Sequence, residues 1–317
     1  MSEDHPYIRA DVKALLDMLA ANKGPPMAEM SLAHARAAYL ALHRMGDRPP
    51  RDLPIFRDLT CAGPAGDIPL RLYDTRESRD PGPVIMFFHG GGFVIGDLES
   101  HHSLCTEIAA QMDLPVVAVD YRRAPEHPFP AAIDDCEAAT RWIAGSPTDL
   151  GREATGLILV GDSAGGNAAI VTAQQLAANP AAVTVILQVP IFPDAGDPFG
   201  TGSLEEFAEG YILSKAAVEF FDRCYARPND DPRALPLLGD VAATPPTVLV
   251  TASLDPIRDV GRVYAAALAT HGIDHIFLEM KGVTHSFTNL RQAIAGAQAD
   301  TEAIFAAMKL MLERTAK

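Results

Sequence analysis

Along this chain the spacing of apolar positions changes twice. Over residues 1–50 it is helical: Val12, Leu15, Leu16 and Leu19 share one face, and Ala35, Ala38, Tyr39 and Leu42 share another. This predicts two amphipathic helices, with Gly24-Pro25-Pro26 between them and Gly46 to Pro50 ending the pair. From Leu53 the pattern alternates apolar with polar, in Ile55 to Cys61 and again in Ile68 to Tyr73, which predicts antiparallel strands with one solvated face. After Pro83 the apolar runs become continuous: Val84–Phe88, Val116–Val119, Leu157–Val160, Thr184–Val189, Thr247–Thr251 and His275–Glu279. Helical patterns fall between and after them, over Ser103–Gln111, Ala131–Ile143, Ala164–Ala178, Ile257–His271 and Gln292–Leu312. Strands buried on both faces and alternating with helices predict an α/β fold with a mostly parallel central sheet. Sites in such sheets lie beyond the carboxyl ends of the strands.

The alternation is interrupted between Asp194 and Pro245. A Gly/Pro-rich loop (Gly196 to Gly202) leads to Tyr211-Ile212-Leu213 and then to a helical stretch up to Tyr225, with Ser214 as its N-cap. This insertion is expected to meet the N-terminal helices as a lid over the strand ends. A plain long crossover is the alternative, although connections are usually short.

Composition narrows the class. With 317 residues, 48% hydrophobic and 21% charged, the chain can bury a large globular core. No apolar run reaches the roughly 18 residues of a membrane span, and the start, Met1 to Pro6, lacks the features of a secretory signal. A cytoplasmic location is the resulting expectation. A formal net charge of −15 argues against nucleic acid and anionic membrane surfaces as partners. Cys61, Cys105, Cys136 and Cys224 form no C-x-x-C pair, so reduced thiols and no metal site are expected.

Two glycine motifs carry the candidate chemistry. Leu157 to Val160 runs into Gly161-Asp162-Ser163-Ala164-Gly165-Gly166 and then an Ala-rich helix. Strand, sharp turn and helix are the setting in which Gly-x-Ser-x-Gly exposes a nucleophilic serine. Val84 to Phe88 ends in His89-Gly90-Gly91-Gly92, the type of loop that points backbone N–H groups at an oxyanion. A serine needs a base and an orienting acid, which follow it along the chain in this architecture. The histidines after Ser163 are His271, His275 and His285. His271 closes a helix, His275 opens a strand, and His285 follows a strand end, the best position of the three. Asp255 follows the strand Thr247–Thr251, whereas Asp259 falls a turn into the next helix and Asp194 belongs to the insertion.

These motifs resemble the hormone-sensitive-lipase family of α/β-hydrolases, the family IV bacterial esterases. Tyr121-Arg122, Ala124 to Pro130, Asp255 to Asp259 and His285-Ser286-Phe287 add to the likeness. The resemblance implies an α/β-hydrolase fold with a helical cap. N-terminal cap helices would span residues 1–50, the catalytic body 51–193 and 227–317, and the cap insertion 194–226. It implies Ser163 as nucleophile, His285 as base, Asp255 as its partner, and the N–H groups of Gly90, Gly91 and Ala164 as the oxyanion hole. The activity implied is hydrolysis of short- to medium-chain acyl esters through an acyl-enzyme. No cofactor is needed, the partner is a small-molecule ester, and a homodimer through the His275–Glu279 edge and the last helix is suggested. Phe93, Phe207, Tyr211, Leu213 and Phe287 are candidate apolar walls of a substrate pocket, with core packing as the alternative for each. Two departures stand out: Ser286 where relatives usually have glycine, and His101-His102 where many have His-Asp. An amidase or deacetylase with the same triad, and a non-catalytic small-molecule receptor on the same fold, are the rival readings.

Overall fold

The continuous apolar runs form the middle of a sheet because both of their faces are covered. The computed structural model describes residues 6–22 and 24–315. The strands are β1 (Ile55–Gly63), β2 (Gly66–Asp74), β3 (Gly82–Phe88), β4 (Val116–Val119), β5 (Ala154–Asp162), β6 (Val185–Ile191), β7 (Thr247–Leu254) and β8 (His275–Thr284). Among the described residues they make one sheet in the order β1-β2-β4-β3-β5-β6-β7-β8. β1 and β2 form an antiparallel hairpin, β2 is antiparallel to β4, and β3 to β8 run parallel with β4.

Successive side chains of a strand point to opposite faces, and here each face has its own core. Val84, Met86, Phe88, Leu157 and Leu159 pack with Ile133 and Ile143 of α4 (Ala131–Ala144) and Val171 of α5 (Ala164–Ala178). Ile85, Phe87, Ile158 and Val160 pack with Ile108 of α3 (His102–Met112) and Ile304 and Met308 of the last helix (Ala297–Thr315). β7 is followed by a helix over Arg258–Thr270.

α1 (Ala10–Ala21) lies against β8, a one-turn helix forms at Gly202–Glu206, and α2 (Leu32–Gly46) and the helix Lys215–Tyr225 line the cavity beside Ser163. Ser31 and Ser214 cap two of them, accepting from the N–H groups of His34 and Ala217. α2 is fastened to the body at both ends. Arg36 donates to the carbonyls of Val94 and Ala124 and forks onto Glu126. Asp47, just past the helix, takes three hydrogen bonds from the buried Arg291, two from its guanidinium and one from its backbone N–H. No helix among the described residues is long and apolar enough to cross a membrane.

The last helix starts later than its sequence pattern predicts, at Ala297 rather than Gln292. The N–H groups there have other acceptors: those of Gln292 and Ala293 go to the Gly46 carbonyl, and that of Gly296 goes to Asp11. The N-terminal segment thus captures the turn that the apolar pattern assigned to the helix.

Candidate active site

Ser163 sits between β5 and α5 with φ 56° and ψ −119°, a conformation that a non-glycine residue adopts only when its surroundings enforce it. Glycine on either side allows the crowding. A Cβ on Gly161 would stand 2.2 Å from the Gly165 carbonyl oxygen, and one on Gly165 would stand 1.9 Å from that of Phe88. The Ser163 N–H donates to Ile191 O at 2.9 Å, which ties the turn to β6.

The carboxyl ends of β7 and β8 deliver the other two groups. Asp255 follows β7 and is fully buried; its Oδ1 accepts the Ile257 N–H at 2.9 Å and its Oδ2 lies 2.7 Å from His285 Nδ1. His285 follows β8, and its Nε2 lies 2.9 Å from Ser163 Oγ. A carboxylate can only accept, so Nδ1 carries the hydrogen and Nε2 faces the serine hydroxyl with a lone pair. This arrangement can remove the serine proton as the oxygen attacks.

The glycine loop differs from its sequence reading in one residue. Gly90 does not face the cavity: its N–H donates to Asp162 Oδ1 at 2.9 Å. The next two glycines, with φ of 119° and 60°, turn the chain so that Gly91 and Gly92 line the cavity beside Ser163 and Ala164. Among the described residues the N–H groups of Gly91, Gly92 and Ala164 have no partner. They are the set open to an oxyanion, with Gly92 in place of Gly90. Three successive glycines carry no side-chain signal to separate first from third. The carboxylate beside the nucleophile, which needs donors once buried, is the one hint in the sequence.

The cavity, about 210 Å³, is bounded by the glycine loop, by Met27, Met30, Tyr39, Leu42 and His43, and by Ile212, Leu213, Val218, Phe221 and Tyr225. Of the aromatic and aliphatic walls expected from sequence, Phe93 and Leu213 line it. Phe207, Tyr211 and Phe287 do not. Phe207 is fully buried, with Tyr211 edge-on at 5.1 Å and the Arg258 guanidinium 5.0 Å from its ring centre. Phe287 packs on Phe192 in the core, because the chain reverses inward at Ser286, whose φ is 62°. That left-handed conformation favours glycine, which accounts for the residue usual in relatives. Sequence reasoning missed Phe221, whose ring occupies the space a Cβ on Gly92 would fill. It also missed a polar corner where Arg227 pairs with Asp194 and Asp222.

Behind the glycine loop the histidines are uncharged or paired. Burial, with the neighbouring His101 adding to it, pushes His43 and His89 down to about 3. The His89 ring stacks on Tyr121 at 4.1 Å. The other departure, the His101-His102 pair, is packed: His101 Nε2 lies 3.2 Å from Asp162 Oδ2, and His102 Nδ1 lies 3.3 Å from the Tyr73 hydroxyl.

A family profile described as the α/β hydrolase fold matches residues 85–289. The chain is 37% identical over 267 residues to the carboxylic ester hydrolase LipN of Mycobacterium tuberculosis, covering 81% of this chain and 70% of that one. It is 39% identical over 237 residues to the ethyl acetate hydrolase of Pseudomonas putida, covering 73% and 74%. Among solved structures, a mutant of LAE6, an α/β hydrolase enzyme from the metagenome of Lake Arreo, superposes with a TM-score of 0.90 at 33% identity, over 98% of this chain and 99% of that one.

Proposed function

For a chain that belongs to the hormone-sensitive-lipase family of α/β-hydrolases, we propose the activity of a serine carboxylesterase acting on short- to medium-chain acyl esters through an acyl-enzyme. The observation that carries the proposal is the unbroken relay from Asp255 through His285 to Ser163, at 2.7 and 2.9 Å, beside three N–H groups that have no partner among the described residues.

Ser163 Oγ attacks the ester carbonyl carbon while His285 Nε2 takes its proton. The carbonyl oxygen becomes an oxyanion held by the N–H groups of Gly91, Gly92 and Ala164, donors whose single loss typically costs about 10²–10³ in rate. Asp255 holds the histidine tautomer and stabilises the imidazolium. The imidazolium then protonates the departing alkoxide as the tetrahedral species collapses to the acyl-serine. Water, deprotonated by the same nitrogen, attacks the acyl carbon; the second tetrahedral species collapses with cleavage of its bond to Ser163 Oγ, which takes the proton back from His285 as the acid is released.

The modest cavity and the Phe221 ring against the glycine loop favour short and medium acyl chains over long ones. The reading extends to a cytoplasmic protein acting on small-molecule esters. A homodimer through β8, one of the two edge strands of the sheet, and the last helix is part of it; light scattering showing only monomer would remove that part.

The test of the whole is hydrolysis of p-nitrophenyl esters from acetate to palmitate by wild type and Ser163→Ala. The expected result is an optimum at short to medium chains that vanishes in the variant. Hydrolysis surviving in Ser163→Ala would overturn the assignment of the nucleophile.

A further inference from the structure

Three segments must keep register for this chemistry: the serine turn after β5, the glycine loop after β3, and the histidine turn after β8. One side chain touches all three. Asp162 directly precedes Ser163 and is fully buried. Its Oδ1 accepts the Gly90 N–H at 2.9 Å. Its Oδ2 accepts from Asn289 Nδ2 at 3.3 Å, and Asn289 lies in the helical turn that follows His285. His101 Nε2 lies 3.2 Å from the same oxygen, while His101 Nδ1 meets Ser100 Oγ at 2.9 Å. Ser100 in turn closes a hydrogen-bonded ring with Asp97. The carboxylate therefore holds the glycine loop at its start, through Gly90, and at its far end, through His101.

The fit leaves little slack. A Cβ on Gly90 would stand 2.5 Å from Asp162 Oδ2, so the first glycine is the residue that lets the carboxylate reach the backbone. Burial opposes ionisation of Asp162, but the surrounding imidazoles of His101, His43 and His89, with the hydrogen bond to His101, outweigh it and hold the carboxyl below the usual carboxylate range. Hydrogen bonds to an ionised acceptor are the shorter and stronger kind. An apolar residue at this position would strand the Asn289 amide without an acceptor in a dry interior and leave the Gly90 N–H only the longer contact to His101 Nε2, at 3.3 Å.

Building on the esterase reading above, we infer that Asp162 is a positioning residue for the oxyanion hole. By holding the Gly90 N–H inward it turns the N–H groups of Gly91 and Gly92 outward, and by holding Asn289 it ties that loop to the turn bearing His285. It touches no reacting atom and acts through the backbone it aligns.

The test compares wild type with Asp162→Asn, which keeps the size of the side chain and removes half of its acceptor capacity. Kinetics on p-nitrophenyl butyrate are paired with inhibition by a trifluoromethyl ketone of matching length, whose serine adduct carries an oxyanion. The expected result is a kcat lower by about 10²-fold with KM nearly unchanged, and inhibitor affinity lower by a similar factor. Amide hydrogen exchange over residues 89–96 is expected to speed up. A kcat within about threefold of wild type, or a lower kcat with inhibitor affinity intact, overturns the inference. If Asp162→Asn is recovered unfolded, Asn289→Ala carries the test: kcat and inhibitor affinity falling together support the role, and unchanged values overturn it. The exchange measurement does not depend on turnover. A wild type that hydrolyses no ester defeats the esterase reading, while unchanged exchange in the variant defeats the positioning role alone.

Discussion

Replacing Asp255 with asparagine tests the relay without changing its shape. Both carboxylate oxygens are in use, Oδ1 on the Ile257 N–H and Oδ2 on His285 Nδ1. An amide has one oxygen and one NH₂ to offer the same two positions. If its oxygen stays on Ile257, the NH₂ faces Nδ1 and forces that nitrogen to accept; the histidine hydrogen moves to Nε2, which can no longer take the serine proton. If the amide flips, the NH₂ opposes the Ile257 N–H, leaving a buried donor unpaired at a cost of about 1–3 kcal/mol. The first orientation wins, and it carries the wrong tautomer. The same change in a serine-protease triad lowers kcat by about 10⁴, equivalent to about 5.5 kcal/mol of barrier. Asp255→Asn is therefore expected to fold, to bind p-nitrophenyl butyrate with a KM near that of wild type, and to turn it over about 10⁴-fold more slowly at neutral pH. A kcat within tenfold of wild type would refute the claim that Asp255 sets the histidine tautomer.

Three further outcomes follow from other parts of the structure. Phe221→Ala removes the ring that rests on Gly92 and is expected to move the acyl optimum to longer chains, gaining roughly fourfold in kcat/KM per added buried methylene; an unmoved optimum would show that this ring does not limit chain length. Arg291→Ala strands Asp47 in a dry site, since Arg291 is only 1% exposed, and is expected to cost about 3–5 kcal/mol, read as a loss of several degrees or more in Tm. Acid should destabilise the protein through His43 and His89. Both are held at about 3 in the folded state against an ordinary value of 6.5, so between those values the unfolded chain binds the protons. The stability they allow is present above about pH 6.5 and is lost as pH falls toward 3, on the order of 1.4 kcal/mol per histidine per pH unit. Tm should drop between pH 7 and 5, less steeply in His43→Gln; equal slopes in the two proteins would contradict the assignment.

How much of this was legible in the sequence depended on whether the signal was local. The serine turn was legible because an apolar run, two glycines and an alanine-rich run each constrain the backbone independently, and the helix begins at Ala164 and ends at Ala178 as its pattern predicts. Asp255 and His285 were legible because each follows a strand that could be counted, and strand ends share one rim of the sheet. The pocket walls were not. Phe207, Tyr211 and Phe287 carry the same apolar character as Phe93 and Leu213, and only the reversal at Ser286 and the stacking of Phe207 under Arg258 decide which side of the wall each faces. Phe221 lies in a helix far along the chain from Gly92, so nothing near either residue records their contact. Gly90 and Gly92 were interchangeable for the same reason: what separates them is the Asp162 carboxylate, reached through a tertiary contact.

The most direct measurement is the mass of the protein quenched during turnover of a p-nitrophenyl ester with a slowly hydrolysed acyl group, followed by peptide mapping. The account predicts a single acyl adduct on the peptide containing Ser163, formed with a stoichiometric burst of p-nitrophenol and absent from Ser163→Ala. Turnover without any adduct, or an adduct on another residue that turns over competently, would contradict it.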